Sequence, residues 1–304
     1  MPTRTFHDIP PSNDGRFEGR PSDVVVLGVP IDSGTGGRPG ARFGPAAIRE
    51  ASNLIAGNLY HVGLETEIFE HLRIVDVGDV PVTPGQHDRN LNAAEKWVRE
   101  LMSVTEQVVV LGGDHSVLLP VLRAVADKHG PVSFVHWDAH ADTWDGGPER
   151  LLTHATAVRR VIEEGLTNQV FQIGLRGYGP SRETFAWAGE NGVEHWTMMD
   201  VDETGLTDIV QQVISTVTGK VYISIDIDVL DPSYAPGTGT PEPGGLTSRE
   251  LLAGIRDLVR NTDVVGMDVM EVAPPYDHAD VTALVANRCV LEFLAATAQR
   301  RAAG

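Results

Sequence analysis

Short apolar segments alternate with longer amphipathic segments along almost the whole chain. The apolar segments are rich in valine and isoleucine, which favour strands. Predicted strands are residues 24–29, 73–77, 108–111, 132–137, 170–173, 193–196, 221–225 and 264–269. Strands that are apolar throughout are typical of a parallel sheet with helices on both faces. The alternation therefore predicts an α/β fold in three layers, with a mostly parallel sheet of roughly eight strands.

The intervening segments carry apolar residues at the spacing of a helix face. Predicted helices are residues 45–56, 90–105, 117–129, 155–164, 207–217, 249–260 and 281–298. Neither a linker nor a break in composition divides the chain, so we expect a single domain over residues 23–304. Residues 1–22 are polar and are expected to form an arm that precedes this domain.

The acidic composition restricts the partners that the chain can have. Its formal net charge is −18 and its pI is near 4.9, whereas nucleic acids and anionic membranes bind basic surfaces. No stretch approaches the ~18 consecutive apolar residues of a membrane span, and the first residues lack the apolar core of a signal peptide. We therefore expect a cytoplasmic protein without nucleic-acid or membrane partners. The single cysteine, Cys289, excludes an internal disulfide and is expected to be buried.

Histidine and aspartate residues cluster where three of the predicted strands end. The segment DAHAD, residues 138–142, follows one strand, and the segment DID, residues 226–228, follows another. Alternate residues of an extended chain point the same way, so the polar side chains of each segment can converge. A histidine in the segment GGDHS, residues 112–116, follows a third strand. The candidate metal ligands are His115, Asp138, His140, Asp142, Asp226 and Asp228.

These residue types indicate a binuclear metal centre. Burying so many carboxylates without a counter-charge would be prohibitive, and metal ions supply that charge. The ligands are sufficient for two divalent ions that share bridging carboxylates. Imidazole and carboxylate without thiolate suit Mn, Fe, Ni, Co or Zn, which the sequence does not rank. Such a pair of ions can lower the pKa of a shared water toward ~7 and so supply a nucleophile.

Three loops rich in glycine or proline, at residues 32–44, 143–148 and 234–245, are expected to form the walls of the site. The first contains the segment GTGG, which invites comparison with a dinucleotide-binding GxGxxG motif. Pro39 occupies the position of the third glycine, and no helix is predicted to begin there. A nucleotide site is therefore not expected.

The polar segments resemble the metal motifs of the ureohydrolases, a family that contains arginase, agmatinase and related guanidino-compound hydrolases. The resemblance rests on GDHS at residues 113–116, DAHAD at 138–142 and SIDIDVLDP at 224–232. Residues 34–45, 236–242 and 271–277 also match, and the resemblance covers residues 23–294. It implies the three-layer fold that arginases share with zinc-dependent deacetylases.

The resemblance also implies a pair of Mn²⁺ ions. Asp138 and Asp226 would bridge the two ions, and a free oxygen of Asp142 would orient the nucleophile. The implied ligands are His115, Asp138, Asp142 and Asp226 for one ion, and Asp138, His140, Asp226 and Asp228 for the other.

Two further residues complete the chemistry that the resemblance implies. Glu271 corresponds to the glutamate that binds the guanidinium group of the substrate, through paired charge-assisted hydrogen bonds that also hold it against the nucleophile. His154 matches the histidine that passes a proton to the leaving amine, a task suited to imidazole. Many agmatinases read His-Gly-Thr where this chain reads His154-Ala155-Thr156, which adds a methyl group beside the site.

The expected substrate is agmatine, which would give putrescine and urea. Arginases recognise the α-carboxylate of arginine through a polar residue two positions after the DxHxD motif, and Trp144 stands there. An indole donates a single N–H, so this residue disfavours arginine. Arg150 keeps 4-guanidinobutyrate or another ω-guanidino acid as an alternative, because an inward guanidinium would pair with a distal carboxylate. Arginine and free guanidine are less favoured substrates.

Two alternatives come from other functional classes. A zinc-type deacetylase would share the fold, but it uses a single catalytic ion, and the paired bridges Asp138 and Asp226 argue against it. A non-catalytic subunit of a hetero-oligomer usually loses ligands, and this chain keeps all of them. The resemblance also suggests a homo-oligomer, either a trimer or a hexamer.

Overall fold

A parallel eight-stranded sheet lies at the centre of the computed structural model, which describes residues 5–9, 22–54, 59–149, 152–179 and 181–303. A two-stranded antiparallel hairpin lies outside this sheet. The strands are β1 (Ser22–Gly28), β2 (Tyr60–His61), β3 (Thr66–Glu67), β4 (Ile74–Asp79), β5 (Thr105–Leu111), β6 (Val132–Trp137), β7 (Thr167–Leu175), β8 (Val193–Thr197), β9 (Lys220–Asp226) and β10 (Asp263–Met270). Their order in the main sheet is β4-β1-β5-β10-β9-β6-β7-β8.

Helices cover both faces of the sheet. They are α1 (Gly44–Ser52), α2 (Ile68–His71), α3 (His87–Met102), α4 (Leu118–His129), α5 (Ala157–Glu163), α6 (Arg182–Glu190), α7 (Met198–Thr204), α8 (Leu206–Thr216), α9 (Ser248–Asn261) and α10 (Val281–Ala303). On β5, Val109 and Leu111 belong to the core beneath α8, α9 and α10, whereas Val108 and Val110 belong to the core beneath α3 and α4. This alternation confirms the predicted α/β fold with a doubly covered parallel sheet.

All of the predicted strands occur in the main sheet, with bounds that differ by a few residues at most ends. The predicted helix at 90–105 is wrong at its carboxyl end, because α3 stops at Met102 and Thr105 already pairs with Ser22 in the sheet. The predicted helix at 45–56 ends at Ser52, and residues 55–56 lie outside the described part of the chain. The sequence did not predict α2, α6 or α7, which are short.

The last helix, α10, is a buried core element. It is long and apolar enough to cross a membrane by length and composition, but 83% of its most apolar window is buried within the fold. It packs against α1 and α9, and Cys289 on it is fully buried, as predicted. The helix carries apolar residues on nearly all of its faces because other parts of the protein cover those faces.

Part of the predicted polar arm packs onto the domain. Phe6 is fully buried, and its backbone N–H donates to Asp76 Oδ2 over 2.7 Å. Ser22, the last residue of the predicted arm, is the first residue of β1. Residues 1–4 and 10–21 lie outside the described part of the chain, so the division at residue 22 remains a prediction.

Candidate metal centre and active site

The candidate site lies at the carboxyl edge of the sheet, over its four central strands. His115 follows β5, Glu271 follows β10, Asp226 ends β9 and Asp138 follows β6, and these strands are neighbours in that order. All strands run parallel, so their carboxyl ends meet at one edge, where open α/β sheets bind ligands. Segments far apart in sequence thereby supply one cluster of side chains.

The first group of candidate ligands surrounds His115, which is fully buried. Its Nδ1 atom lies 3.3 Å from Asp138 Oδ2, 3.4 Å from Asp142 Oδ2 and 3.2 Å from Asp226 Oδ2. A single ring nitrogen thus faces three carboxylates. These are the four residues that the sequence assigns to one ion.

The second group contains His140. Its Nδ1 atom lies 3.1 Å from Asp228 Oδ2 and 3.5 Å from Asp138 Oδ1. Asp138 therefore touches both histidines, in keeping with its predicted role as a bridge. The side chain of His140 is 36% exposed, whereas the carboxylate of Asp228 is buried, so the second group faces the open side of the site.

The donor set fits metal ions on physical grounds. Asp142 Oδ2 is buried without a hydrogen-bond partner among the described residues. Burial, together with the charge of Asp138, raises the pKa of Asp142 to about 8. Burial and the charge of Asp228 likewise raise the pKa of Asp226 well above its usual value. Carboxylates under this repulsion are stabilised by divalent cations, and nitrogen and oxygen donors suit such ions.

His136 is a member of the cluster that sequence reasoning missed. It is fully buried, its Nε2 lies 2.9 Å from Asp138 Oδ2, and its Nδ1 lies 3.0 Å from the amide nitrogen of Gln172. Its ligand atom lies close to those of His115, Asp138 and Asp142. The alternation of His136 with Asp138 along one face of an extended segment was the signal available in the sequence.

Glu271 and His154 meet beside the first group. His154 Nδ1 lies 3.1 Å from Glu271 Oε1, and that oxygen also accepts the backbone N–H of His115 over 2.9 Å. His154 Nε2 accepts the backbone N–H of Gly36 over 2.9 Å, so the neutral ring carries its proton on Nδ1. Burial opposes the charged form, yet the hydrogen bond and charge of Glu271 raise the pKa of His154 to about 9.

Two of the acidic residues at the site, Asp142 and Glu271, share an uncommon backbone conformation. Asp142 has a φ angle of 52° and Glu271 a φ angle of 63°, in the left-handed region that non-glycine residues seldom occupy. Such residues cost roughly 1–3 kcal/mol each and persist where the surrounding structure requires them, often at functional sites.

A cavity of about 370 Å³ opens above the site. Trp144 and Tyr178 stand at it, with 40% and 98% of their surface exposed, and Ala155 supplies the extra methyl group. Two of the predicted wall loops contribute to it, through Trp144 and Thr240. The remaining described lining residues are His140, Ala141, Asp142, Thr143, His154, Gly179, Thr184 and Asp226, without lysine or arginine among them. Arg150, the other predicted substrate contact, lies outside the described residues.

Comparison with known proteins agrees with this geometry. The model of the family described as "Arginase family" matches residues 22–296. The proclavaminate amidinohydrolase of Streptomyces clavuligerus is 42% identical over 90% of this chain and 87% of its own. Its solved structure has a TM-score of 0.90 at 39% identity, covering 98% of this chain and 97% of that chain.

Two further relatives are named for different substrates. The agmatinase of Bacillus anthracis is 39% identical over 90% of this chain and 91% of its own. The mitochondrial guanidino acid hydrolase of Homo sapiens is 39% identical over 90% of this chain and 78% of its own. The chain belongs to the arginase family and is a ureohydrolase, a hydrolase of the class whose members depend on a binuclear metal centre.

Proposed function

We propose that this protein hydrolyses agmatine to putrescine and urea. The observation that carries the proposal is the composition of the cavity wall. Among the described lining residues, the acidic groups are the carboxylates of Asp142 and Asp226, the exposed aromatic rings are those of Trp144 and Tyr178, and neither lysine nor arginine is present. An ammonium group at the far end of the substrate suits such a wall, because aromatic faces attract cations and no lysine or arginine among the described lining residues repels it.

We assign the guanidinium end of agmatine to Glu271, which lies beside the lining residue His154. Glu271 is buried, and its Oε2 atom has no hydrogen-bond partner among the described residues. A planar guanidinium can donate to this oxygen in a charge-assisted hydrogen bond. We therefore assign to Glu271 the binding of the guanidinium group and the orientation of its carbon. Holding that carbon close to the nucleophile accelerates the reaction through proximity.

The metal centre would be held by the predicted ligands. His115, Asp138, Asp142 and Asp226 would form one ion's shell, and His140 and Asp228 would complete the other, together with Asp138 and Asp226 as bridges. When bound, two such ions supply a water of lowered pKa as the nucleophile and polarise the guanidinium group. Mn²⁺ is the proposed ion.

A residue of the protein would donate the proton that the leaving amine requires. In the net reaction, a C–O bond forms between water and the guanidinium carbon, and the C–N bond to the putrescine nitrogen breaks. The departing nitrogen needs a proton. His154 borders the cavity, and the hydrogen bond and charge of Glu271 raise its pKa to about 9, so a protonated ring with a proton to give is available near neutral pH. We assign His154 as the general acid.

The test compares two substrates of similar length and opposite distal charge. Urea release by the Mn-loaded protein should be at least ~10-fold more efficient, in kcat/KM, for agmatine than for 4-guanidinobutyrate, which corresponds to ~1.4 kcal/mol. Metal-stripped protein is the control for both. A higher efficiency with 4-guanidinobutyrate would reject agmatine as the substrate while leaving the ureohydrolase chemistry intact.

A second candidate substrate class is the ω-guanidino acids. Its support is that the relatives named proclavaminate amidinohydrolase and guanidino acid hydrolase are as similar to this chain as the agmatinase is. Arg150, four residues before His154, would then pair with the distal carboxylate. Under this alternative, Arg150→Met should depress hydrolysis of 4-guanidinobutyrate by about 10-fold or more and spare agmatine, since a charge-assisted hydrogen bond contributes about 1.5–3 kcal/mol.

A further inference from the structure

A line of buried polar side chains runs from the candidate metal centre into the sheet. His115 Nε2 lies 2.9 Å from Ser224 Oγ, and Ser224 Oγ donates to Asp268 Oδ1 over 2.6 Å. Tyr222 donates its hydroxyl hydrogen to Asp268 Oδ2 over 3.0 Å. All four side chains have no exposed surface. We call Tyr222, Asp268, Ser224 and His115 the buried relay.

The pairing of two central strands builds the buried relay. Tyr222, Ser224 and Asp226 alternate along β9 and therefore lie on one face, with the candidate ligand at the end of the strand. On β10, Asp268 pairs directly with Ser224. Gly266 pairs with Tyr222, and a Cβ atom there would lie 2.9 Å from Tyr222 Cε2. A glycine at this position thus leaves room for the tyrosine ring.

The hydrogen bonds of the relay determine which ring nitrogen of His115 carries a proton. Ser224 has a single hydroxyl hydrogen, and the 2.6 Å contact assigns it to the Asp268 carboxylate. Ser224 Oγ must then accept from His115, which places that proton on Nε2. In the neutral ring, the lone pair is then on Nδ1, the atom that lies 3.2–3.4 Å from carboxylate oxygens of Asp138, Asp142 and Asp226. This is the tautomer that a metal ligand requires.

We propose that Tyr222 is a positioning residue of the metal centre, acting on His115 through Asp268 and Ser224. The hydroxyl of Tyr222 donates to Asp268 rather than to a candidate ligand, and Tyr222 is not among the described lining residues of the cavity. Its hydroxyl holds one oxygen of Asp268, so that the other oxygen stays aligned on Ser224 and the imidazole keeps its orientation. The inference rests on the proposed function in one respect, namely that His115 is a metal ligand.

The test is the affinity of Tyr222→Phe for Mn²⁺, measured by titration of metal-free protein and by metal content after dialysis. Removal of a group that orients a ligand typically weakens metal binding 10–100-fold. The expected result is at least ~10-fold weaker binding of one of the two ions, the one assigned to His115, with the other little changed. Tyr60→Phe, at an exposed tyrosine outside the relay, is the matched control and should bind both ions as the wild type does.

Ser224→Ala separates a positioning role from a structural one. If both residues act through the same relay, Ser224→Ala should weaken the same ion, and the double variant should lose less affinity than the sum of the single losses. Thermal unfolding of the metal-free proteins reports any general loss of stability. Should Tyr222→Phe fail to fold, unchanged affinity in Ser224→Ala would by itself overturn the proposal.

The outcomes also separate this inference from the proposed function. Unchanged Mn²⁺ affinity in Tyr222→Phe, with only a lower melting temperature, would give Tyr222 a packing role and overturn the proposal. A wild-type protein that binds no metal would instead overturn the ligand assignment on which both proposals stand. Selective loss of one ion in both relay variants supports the positioning role.

Discussion

His154 Nδ1 lies 3.1 Å from Glu271 Oε1, an oxygen that also accepts the backbone N–H of His115. Oε1 of Glu271 therefore contacts both His154, the proposed general acid, and the backbone of His115, a proposed metal ligand. The other oxygen, Oε2, is buried without a hydrogen-bond partner among the described residues. Because a buried carboxylate oxygen without a donor is costly, this atom is the natural acceptor for a guanidinium group.

Replacing the carboxylate of Glu271 tests two proposed roles, which are to bind the guanidinium group and to raise the pKa of His154. In Glu271→Gln, kcat/KM for agmatine should fall about 10–100-fold, because a hydrogen bond to a charged group contributes about 1.5–3 kcal/mol. The pKa of His154 should also fall from about 9, since the hydrogen bond and charge of Glu271 are the largest influences that raise it. Steady-state urea release and an NMR titration of the histidine rings measure the two effects. Glu190→Gln, at an exposed helical position, should change neither, and an unchanged kcat/KM in Glu271→Gln would remove that residue from the site.

The proton-transfer role of His154 predicts a loss of turnover without a loss of metal. In His154→Ala, kcat should drop by roughly 10²–10⁴-fold, the range that general acid catalysis contributes. Metal content should remain that of the wild type, because His154 lies against Glu271 rather than among the candidate ligands. Metal analysis alongside kinetics checks both points, with the exposed His195→Ala as control. Loss of an ion together with activity would reassign His154 as a ligand.

The sheet and the ligand positions could be predicted from the sequence because both depend on local patterns. The bounds predicted for the strand at 132–137 are those observed, since valine, phenylalanine and tryptophan make up most of it and the polar segment DAHAD follows directly. The short helices α6 and α7 were missed because each has few buried residues and little apolar periodicity. Local pattern is informative where burial is continuous along a segment.

The contacts between strands could not be predicted in the same way. Asp268 lies opposite Ser224 only because β10 and β9 pair in one particular register, which the sequence of neither strand specifies. The same holds for the contact of Gln172 with His136 across β7 and β6. The polar residues at the ends of strands can therefore be predicted from the sequence. The residues that hydrogen-bond to them from neighbouring strands can be identified only from the pairing of the strands in three dimensions.

The aromatic residues at the cavity predict an effect on substrate binding rather than on chemistry. Tyr178→Ala should raise KM for agmatine about 2–5-fold with little change in kcat, since an exposed cation–π contact contributes ~0.5–1 kcal/mol. The same change should leave KM for 4-guanidinobutyrate nearly constant, because its distal group is an anion. Initial-rate kinetics with both substrates make the comparison, and Tyr60→Ala, exposed and outside the cavity, is the control. An equal rise in KM for both substrates would indicate a steric effect of the ring instead of charge recognition.

The last prediction concerns the proposed bridge Asp226. Its carboxylate lies 3.2 Å from His115 Nδ1 and is 4% exposed, so Asp226→Ala should remove a ligand from both ions at once. Bound metal should fall below two ions per chain and urea release should disappear. Asp202→Asn, at an exposed helical position, carries the same change in charge and should keep both ions.

Metal removal from the wild type gives an independent check of the same bridge. Each ion present at ~100 times its dissociation constant stabilises the folded chain by about 2.7 kcal/mol, which for a domain of this size is roughly 4 °C in melting temperature per ion. A chelator should therefore lower the melting temperature of the wild type and of Asp202→Asn. It should lower the melting temperature of Asp226→Ala by less, because that variant has already lost bound metal. Full activity and a normal chelator response in Asp226→Ala would exclude a shared carboxylate at this position.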